Sequence, residues 1–263
     1  MNYLDKNYKI FVAGSSGMVG SAICRLLNKK GYSLQNENLL VVSRQDLDLD
    51  NKNEVQKWFR KNKPDIVIDA AAKVGGIMAN KNFPVDFLLN NLRIQNNLIE
   101  ASWEFGVKRF VFLGSSCIYP KLSPQPIKEQ YLLTDSLEES NQWYAIAKIA
   151  GIKLCQAYNI QYNMDTISLM PSNLYGPKDN YNLETGHVMS SLIRKFYEAK
   201  RDNKPRVICW GSGSPLREFL YVDDLADACF HILNFWDKDK TISPIDKDGN
   251  PINWLNVGSD YEI

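Results

Sequence analysis

Tyr144 and Lys148 lie four residues apart in the segment Asn141-Gln-Trp-Tyr-Ala-Ile-Ala-Lys-Ile-Ala150. The recurrence of Tyr144, Lys148 and Gly151 or Ile152 at three- and four-residue spacing reads as a helix. Side chains four apart project to one side, so a phenol and an ammonium can meet at one point. A phenol with a reference pKa of about 10 is a weak acid–base catalyst at neutral pH. A neighbouring ammonium stabilises the phenolate and is expected to lower that value. Such a pair can deliver a proton to an alkoxide as a carbonyl is reduced, or withdraw one in reverse. Taken alone, the spacing is equally that of an aromatic on a helix face beside a solvated lysine.

The elements that must position this pair give the spacing its weight. Lys9-Ile-Phe-Val-Ala13 has strand length, Gly14-Ser-Ser-Gly17-Met-Val-Gly20 follows, and Ser21 to Asn28 has helical periodicity. Strand, glycine-rich turn and helix in this order form a nucleotide-binding pattern. Gly14 would permit the tight turn, Gly17 would admit a pyrophosphate to the helix N-terminus, and Gly20 would let helix pack on strand. Ser15 and Ser16 could donate further hydrogen bonds. A second strand, Asn38 to Ser43, runs into Arg44 rather than into an acid. A guanidinium there suits a 2′-phosphate and argues for NADP over NAD. Asp46 to Asp50 reads as a turn into a helix, with Asn51 or Asn53 as N-cap and Asp48-Leu49 near an adenine.

Pro64 to Asp69 is a third strand, and Ala70-Ala-Ala-Lys-Val-Gly-Gly76 sets small residues where a ligand can pass closely. A long helical pattern runs from Pro84 to about Phe105; its asparagines at 90, 91, 96 and 97 are expected to bond neighbouring loops in part. Arg109 to Gly114 is a fourth strand, ending in Ser115-Ser-Cys-Ile-Tyr-Pro120. Four strand–helix alternations predict an α/β fold, a doubly wound parallel sheet of the Rossmann kind. Ligands in such sheets sit beyond the carboxyl ends of the strands, where Ser115, Ser116 and Cys117 fall. Lys121 to Asn141 reads as a surface excursion. Asp165 to Met170 is a strand, Pro171 to Pro177 a loop, His187 to Tyr197 a helix and Arg206 to Trp210 a strand. Gly211 to Phe219 is a polar turn carrying Arg217, Asp223 begins another helix, and Trp254 to Gly258 is a last strand. The division expected is a cofactor-binding core over 1–170 and, over 171–263, a mainly substrate-binding region partly interleaved with it.

Composition narrows the classes further. The 263 residues carry 31 basic and 30 acidic side chains, a net charge of +1, with 44% hydrophobic and 23% charged residues. That balance gives no electrostatic case for nucleic acid or an anionic membrane. No apolar run approaches the roughly 20 residues that span a bilayer. The N-terminal stretch lacks a signal-peptide core. Five scattered cysteines and two histidines lack metal-site spacing, so reduced thiols in the cytoplasm and no metal are expected.

The glycine loop, the serine-rich end of the fourth strand and Tyr144-x-x-x-Lys148, in this order, resemble the extended short-chain dehydrogenase/reductases. Within them, five segments are similar to the GDP-L-fucose synthase family: Ala70 to Gly76, Gly114 to Lys121, Tyr144 to Cys155, Asn173-Leu-Tyr-Gly-Pro177, and Trp210-Gly-Ser-Gly-Ser-Pro-Leu-Arg-Glu-Phe219. The resemblance implies NADPH-dependent conversion of GDP-4-keto-6-deoxy-D-mannose to GDP-L-fucose, by epimerisation at C3 and C5 and reduction at C4. It implies that Cys117 and His187 carry the epimerisations, that Ser115 and Tyr144 polarise the carbonyl, and that Lys148 also holds the nicotinamide ribose. It carries over as cofactor contacts Gly14, Ser15, Ser16, Gly17, Met18, Val19, Gly20, Arg44, Leu113, Gly114, Ser115, Ser116, Lys148, Pro171, Ser172, Asn173, Leu174 and His187. Lys195, Trp210 and Arg217 carry over as GDP-sugar contacts, and a homodimer through the helices around 85–105 and 143–162 is implied. Ser16 stands where many members have a basic residue, which leaves NADP selectivity to Arg44. Measured against the family, the chain stops short at Ile263, so a substrate region lacking its last elements is expected. A 4,6-dehydratase would have an acid pair in place of Cys117-Ile118. A non-catalytic NADP-binding or interaction protein is the reading from another class.

Overall fold

Runs such as Ile10-Phe-Val-Ala13 are apolar at every position, which suits a strand covered on both faces. A computed structural model describes residues 4–209, 211–237, 245–246, 249–259 and 261–263. In it, β1 (Ile10–Ala13), β2 (Leu39–Leu40), β3 (Ile66–Asp69), β4 (Arg109–Leu113), β5 (Thr166–Pro171) and β8 (Trp254–Val257) form one sheet in the order β2-β1-β3-β4-β5-β8. Every pairing is parallel. The strand order reverses direction between β1 and β3, so a crevice opens beyond their carboxyl ends.

Helices cover both faces. On one lie α2 (Lys52–Asn62), α4 (Asn91–Glu104) and α5 (Gln142–Tyr162), burying Val55, Phe59, Leu98, Ile152 and Cys155 against Phe11, Phe110 and Phe112. On the other lie α1 (Met18–Lys29) and α7 (Val222–Phe235), burying Ala22, Ile23, Leu225 and Cys229 against Ile10, Val12, Ile68 and Val111. Arg25 on α1 and Asp223 on α7 form an ion pair across this second layer. The doubly wound parallel sheet expected from the sequence is therefore present. Asn51 is the N-cap of α2, its side chain accepting from the Asn53 and Glu54 amides.

A short α3 (Ile77–Asn82) precedes the long helical stretch. That stretch starts at Pro84, passes through a π-helical segment at Asp86–Asn90 and continues as α4. Asn91, at the end of the π-helical segment, faces inward. Its amide donates to the Phe87 and Lys73 carbonyls and accepts from the Lys73 amide at 2.8 Å. Asn97 likewise donates to the Leu49 carbonyl. Two of the four unexpected helix asparagines thus tie neighbouring loops.

Three expectations are corrected. Asn173–Tyr175, read as loop, is a strand, β6, which pairs in parallel with β7 (Phe219–Tyr221) in a small second sheet. Leu174 opposite Leu220 supplies the apolar pairing, and Gly211 to Phe219 is accordingly not turn throughout. Arg206 to Cys209 forms no strand: Arg206, Ile208 and Cys209 are exposed, so the alternation has no core face to bury. Trp210 lies outside the described residues. Asn38 to Ser43 pairs over two residues only, because Ser43 turns the chain by bonding Asp46. The excursion from 121 is pinned to β8: Glu129 accepts from the Asn256 amide, and Asn256 binds Tyr119 and the Ile127 carbonyl. The remaining helix, α6 (Val188–Arg201), follows β6.

Candidate active site

The glycine turn between β1 and α1 has the local backbone geometry expected at Gly14 and Gly20. Gly14 has φ +75°, and a Cβ there would lie 2.6 Å from the Ala70 carbonyl oxygen. Neither the dihedral nor the space admits a side chain. A Cβ on Gly20 would press into the Gly14 carbonyl, so helix and turn touch backbone to backbone. Gly17 differs. It is the N-cap of α1, is exposed, and a Cβ there would meet only the Gly14 oxygen at 3.5 Å. The fold itself does not require Gly17; an anion approaching the free amides at this helix end would. Ser15, Ser16, Met18 and Val19 frame that end. Arg44 is exposed in the turn after β2, beyond the same edge of the sheet.

Across the crevice, β4 leads into the serine-rich turn. Its last residue, Leu113, presents a carbonyl to the Lys148 ammonium at 2.6 Å. Gly114 packs against Met170, and Ser115 caps a 3-10 turn over Ser116–Ile118 by accepting from the Cys117 amide. That acceptance uses an oxygen lone pair and not the Ser115 hydroxyl proton. Pro171 ends β5 beside this turn. The Ser172 hydroxyl is buried with no hydrogen-bond partner, while Asn173 and Leu174 belong to β6. An orphaned hydroxyl at the strand ends and an open helix N-terminus opposite are what a bound dinucleotide would complete.

Tyr144 and Lys148 project from the first two turns of α5 onto this turn. The ammonium is 3% exposed and lies 5.8 Å from the Tyr144 ring centroid and 4.6 Å from that of Phe112. Burial pushes Lys148 below the usual lysine range, opposed by Asp69, Cys117 and Cys155. Burial also pushes the Tyr144 phenol above its ordinary value, with Cys117 and Asp69 adding to the rise. This corrects the expectation that the ammonium would lower it: desolvation of the phenolate dominates. Tyr144 therefore stands as a proton donor. Cys117 is pushed up to about 11 by burial, against the Ser115 hydroxyl and Lys148, so it stands as a thiol.

Ser115, Cys117, Tyr144 and Lys148 are thus brought together. His187 arrives on a separate support, as the exposed N-cap of α6. The loop before it is seated on Gly76, whose amide donates to the Thr185 carbonyl and whose missing Cβ would lie 2.7 Å from the Gly186 oxygen. Lys195 is half-buried two turns farther along α6. Arg217 is exposed; its backbone pairs with Ile263 and its guanidinium bonds the Leu216 carbonyl. No hydrogen bond joins Arg217 to the catalytic cluster. Asp69 is the residue the motif reading missed. It is fully buried at the end of β3, pushed up to about 6 by burial against the opposing effects of Lys148 and the Ala71 amide. The signal was an acid closing an otherwise apolar strand.

Residues 10–243 match the NAD dependent epimerase/dehydratase family. GDP-L-fucose synthase 1 of Arabidopsis thaliana is 57% identical over 259 residues, covering 98% of this chain and 75% of that protein. A solved GDP-D-glycero-L-gluco-heptose synthase from Campylobacter jejuni, in the presence of NADPH, superposes with a TM-score of 0.85 at 34% identity, over 99% of this chain and 83% of that one. A GDP-L-fucose synthetase from Naegleria fowleri bound to NADP gives 0.82 at 30% identity, over 98% and 78%.

Proposed function

Because the chain belongs to the GDP-L-fucose synthase family, within the NAD dependent epimerase/dehydratases, we propose that it converts GDP-4-keto-6-deoxy-D-mannose to GDP-L-fucose with NADP(H). The carrying observation is the convergence of Tyr144 and Lys148 from α5 on the Ser115–Cys117 turn at the carboxyl end of β4.

The chemistry follows from the substrate carbonyl. A 4-keto group acidifies the protons on C3 and C5, so each centre inverts when a proton leaves one face and another arrives on the opposite face. Cys117, held as a thiol, has a proton to deliver, and the His187 imidazole can act as the base that takes one. Ser115 donates its hydroxyl proton to the C4 oxygen and stabilises negative charge there in both the epimerisation and reduction stages. NADPH, when bound, supplies the hydride that C4 accepts. Tyr144 gives its phenolic proton to the resulting alkoxide, and Lys148 stabilises the phenolate left behind. The Gly14–Gly20 turn would hold the pyrophosphate, Arg44 the 2′-phosphate, and Leu113, Gly114, Ser116 and Pro171 to Leu174 the cleft wall. Lys195, Trp210 and Arg217 are assigned to the GDP-sugar, with 171–263 as the main substrate-binding region. β8 and α7 return from that region to the first sheet.

Tyr144→Phe should abolish reduction while leaving deuterium exchange at C3 or C5 measurable, and Cys117→Ser should impair exchange more than NADPH binding. Wild-type reduction by Tyr144→Phe would sink the assignment. The reading also assigns a homodimer through α4 and α5, which expose Trp103, Trp143, Ile146, Ile160 and Tyr162. A solution mass of one chain at micromolar concentration would reject it. A cytoplasmic setting fits the five unpaired cysteines.

A further inference from the structure

We propose that Asp69 is a positioning residue of this site: a buried anion that keeps Lys148 cationic beneath Tyr144. The inference rests on the reductase reading of Tyr144 and Lys148. Asp69 follows Ile66-Val-Ile in β3 and is 0% exposed. A carboxylate there is costly unless a partner compensates it. One oxygen accepts from the Ala71 amide at 3.0 Å; the other is buried with no hydrogen-bond partner. That single amide is a thin solvation shell for a charge.

The sheet register brings Lys148 to the same face, without a direct ion pair to Asp69. Asp69 stands opposite Phe112 on β4, so their side chains share the face covered by α4 and α5. Lys148 reaches this face from α5, with its ammonium over the Phe112 ring and one of its three donors on the Leu113 carbonyl. The other titratable groups that act on Lys148 are Cys117, from the turn after β4, and Cys155, from α5. Tyr144 is acted on by Cys117 and Asp69. Burial holds both thiols and the phenol in their neutral forms. The buried polar side chains of α4 and β5 are Asn91, Gln95, Ser102, Thr166 and Ser168, all uncharged. Asp69 is consequently the anion of this cluster. Burial alone would strip the charge from either partner, and each holds the other's charge in place.

The consequence concerns the alkaline side of the pH profile. Phenolate stabilisation needs the ammonium, and removing the Asp69 charge takes away the largest effect that opposes the downward pull of burial on Lys148. Asp69→Asn keeps the shape and removes the charge. Its kcat/KM for ketone reduction should lose the alkaline limb about one pH unit earlier than wild type, a roughly ten-fold deficit on that limb. Little difference is expected near pH 6. A superimposable limb would overturn the proposal. The second measurement needs no turnover: the Asp69 carboxyl carbon, assigned through its backbone connectivity, is titrated by NMR in the apoprotein and in Lys148→Met. The wild-type group should be ionised at pH 7.5 and should titrate about one unit higher or more without the ammonium. A carboxyl protonated at pH 7.5, or a titration unmoved by Lys148→Met, would overturn it. Absence of any reductase turnover in wild type would sink the catalytic reading instead, with the titration still deciding the Asp69–Lys148 pairing.

Discussion

Burial sets the protonation of Tyr144 and Cys117 and with it the direction in which each moves a proton. A phenol held above its ordinary value is a weaker acid but stays protonated at neutral pH, so it carries the proton that reduction of a ketone consumes. The Cys117 thiol, pushed up to about 11, should be slow to alkylate. At pH 8, iodoacetamide should label exposed Cys209 at least about ten-fold faster than Cys117, and Cys117 labelling should climb steeply toward pH 11. Equal rates at pH 8 would contradict that account. The four-residue spacing of Tyr144 and Lys148 was legible in sequence, because helix geometry alone fixes it. The sign of the Tyr144 shift was not, because it depends on burial and on Cys117 and Asp69 arriving from other elements. Asp69 was visible only as an acid in an apolar strand.

At the scale of elements, the turn between β1 and α1 separates folding from binding. Gly14→Ala meets both a positive φ and the Ala70 carbonyl, and should cost stability by about 1–3 kcal/mol. Gly17→Ala meets open space at φ −72°, so it should leave the melting temperature within a few degrees. The same change should weaken NADPH binding by about ten-fold or more, since its Cβ stands where the pyrophosphate would approach. Calorimetry and NADPH fluorescence titration check the two halves; a stability loss for Gly17→Ala equal to that for Gly14→Ala would contradict the division. The strand–glycine–helix order was readable because all its parts are local. β6 was not, because its three residues become a strand only by pairing with β7, some forty-five positions later. Arg206 to Cys209 has the alternation of a strand and no core beside it.

For the whole molecule, the chain's two halves are locked by contacts that no local pattern announces. Arg109 begins β4, is 5% exposed, and binds Asp165 through Nε and Nη2 while capping the Ile232, Leu233 and Trp236 carbonyls at the end of α7. Arg109→Ala would leave the part-buried Asp165 without this partner and the helix end without these donors. A loss of about 3–5 kcal/mol in denaturant unfolding is expected; a loss below about 1 kcal/mol would mean that the cap is replaceable. The parallel sheet was predictable from alternating strands and helices, whereas the return of α7 and β8 to it required the structure. β8 pairs with β5 as far as Pro171, the strand end beside the Ser115–Cys117 turn. The most direct measurement is to mix the purified chain with NADPH and GDP-4-keto-6-deoxy-D-mannose and follow both cofactor oxidation and product stereochemistry. Stoichiometric oxidation with formation of GDP-L-fucose is predicted. NADPH binding without oxidation, or reduction without inversion at C3 and C5, would contradict the account.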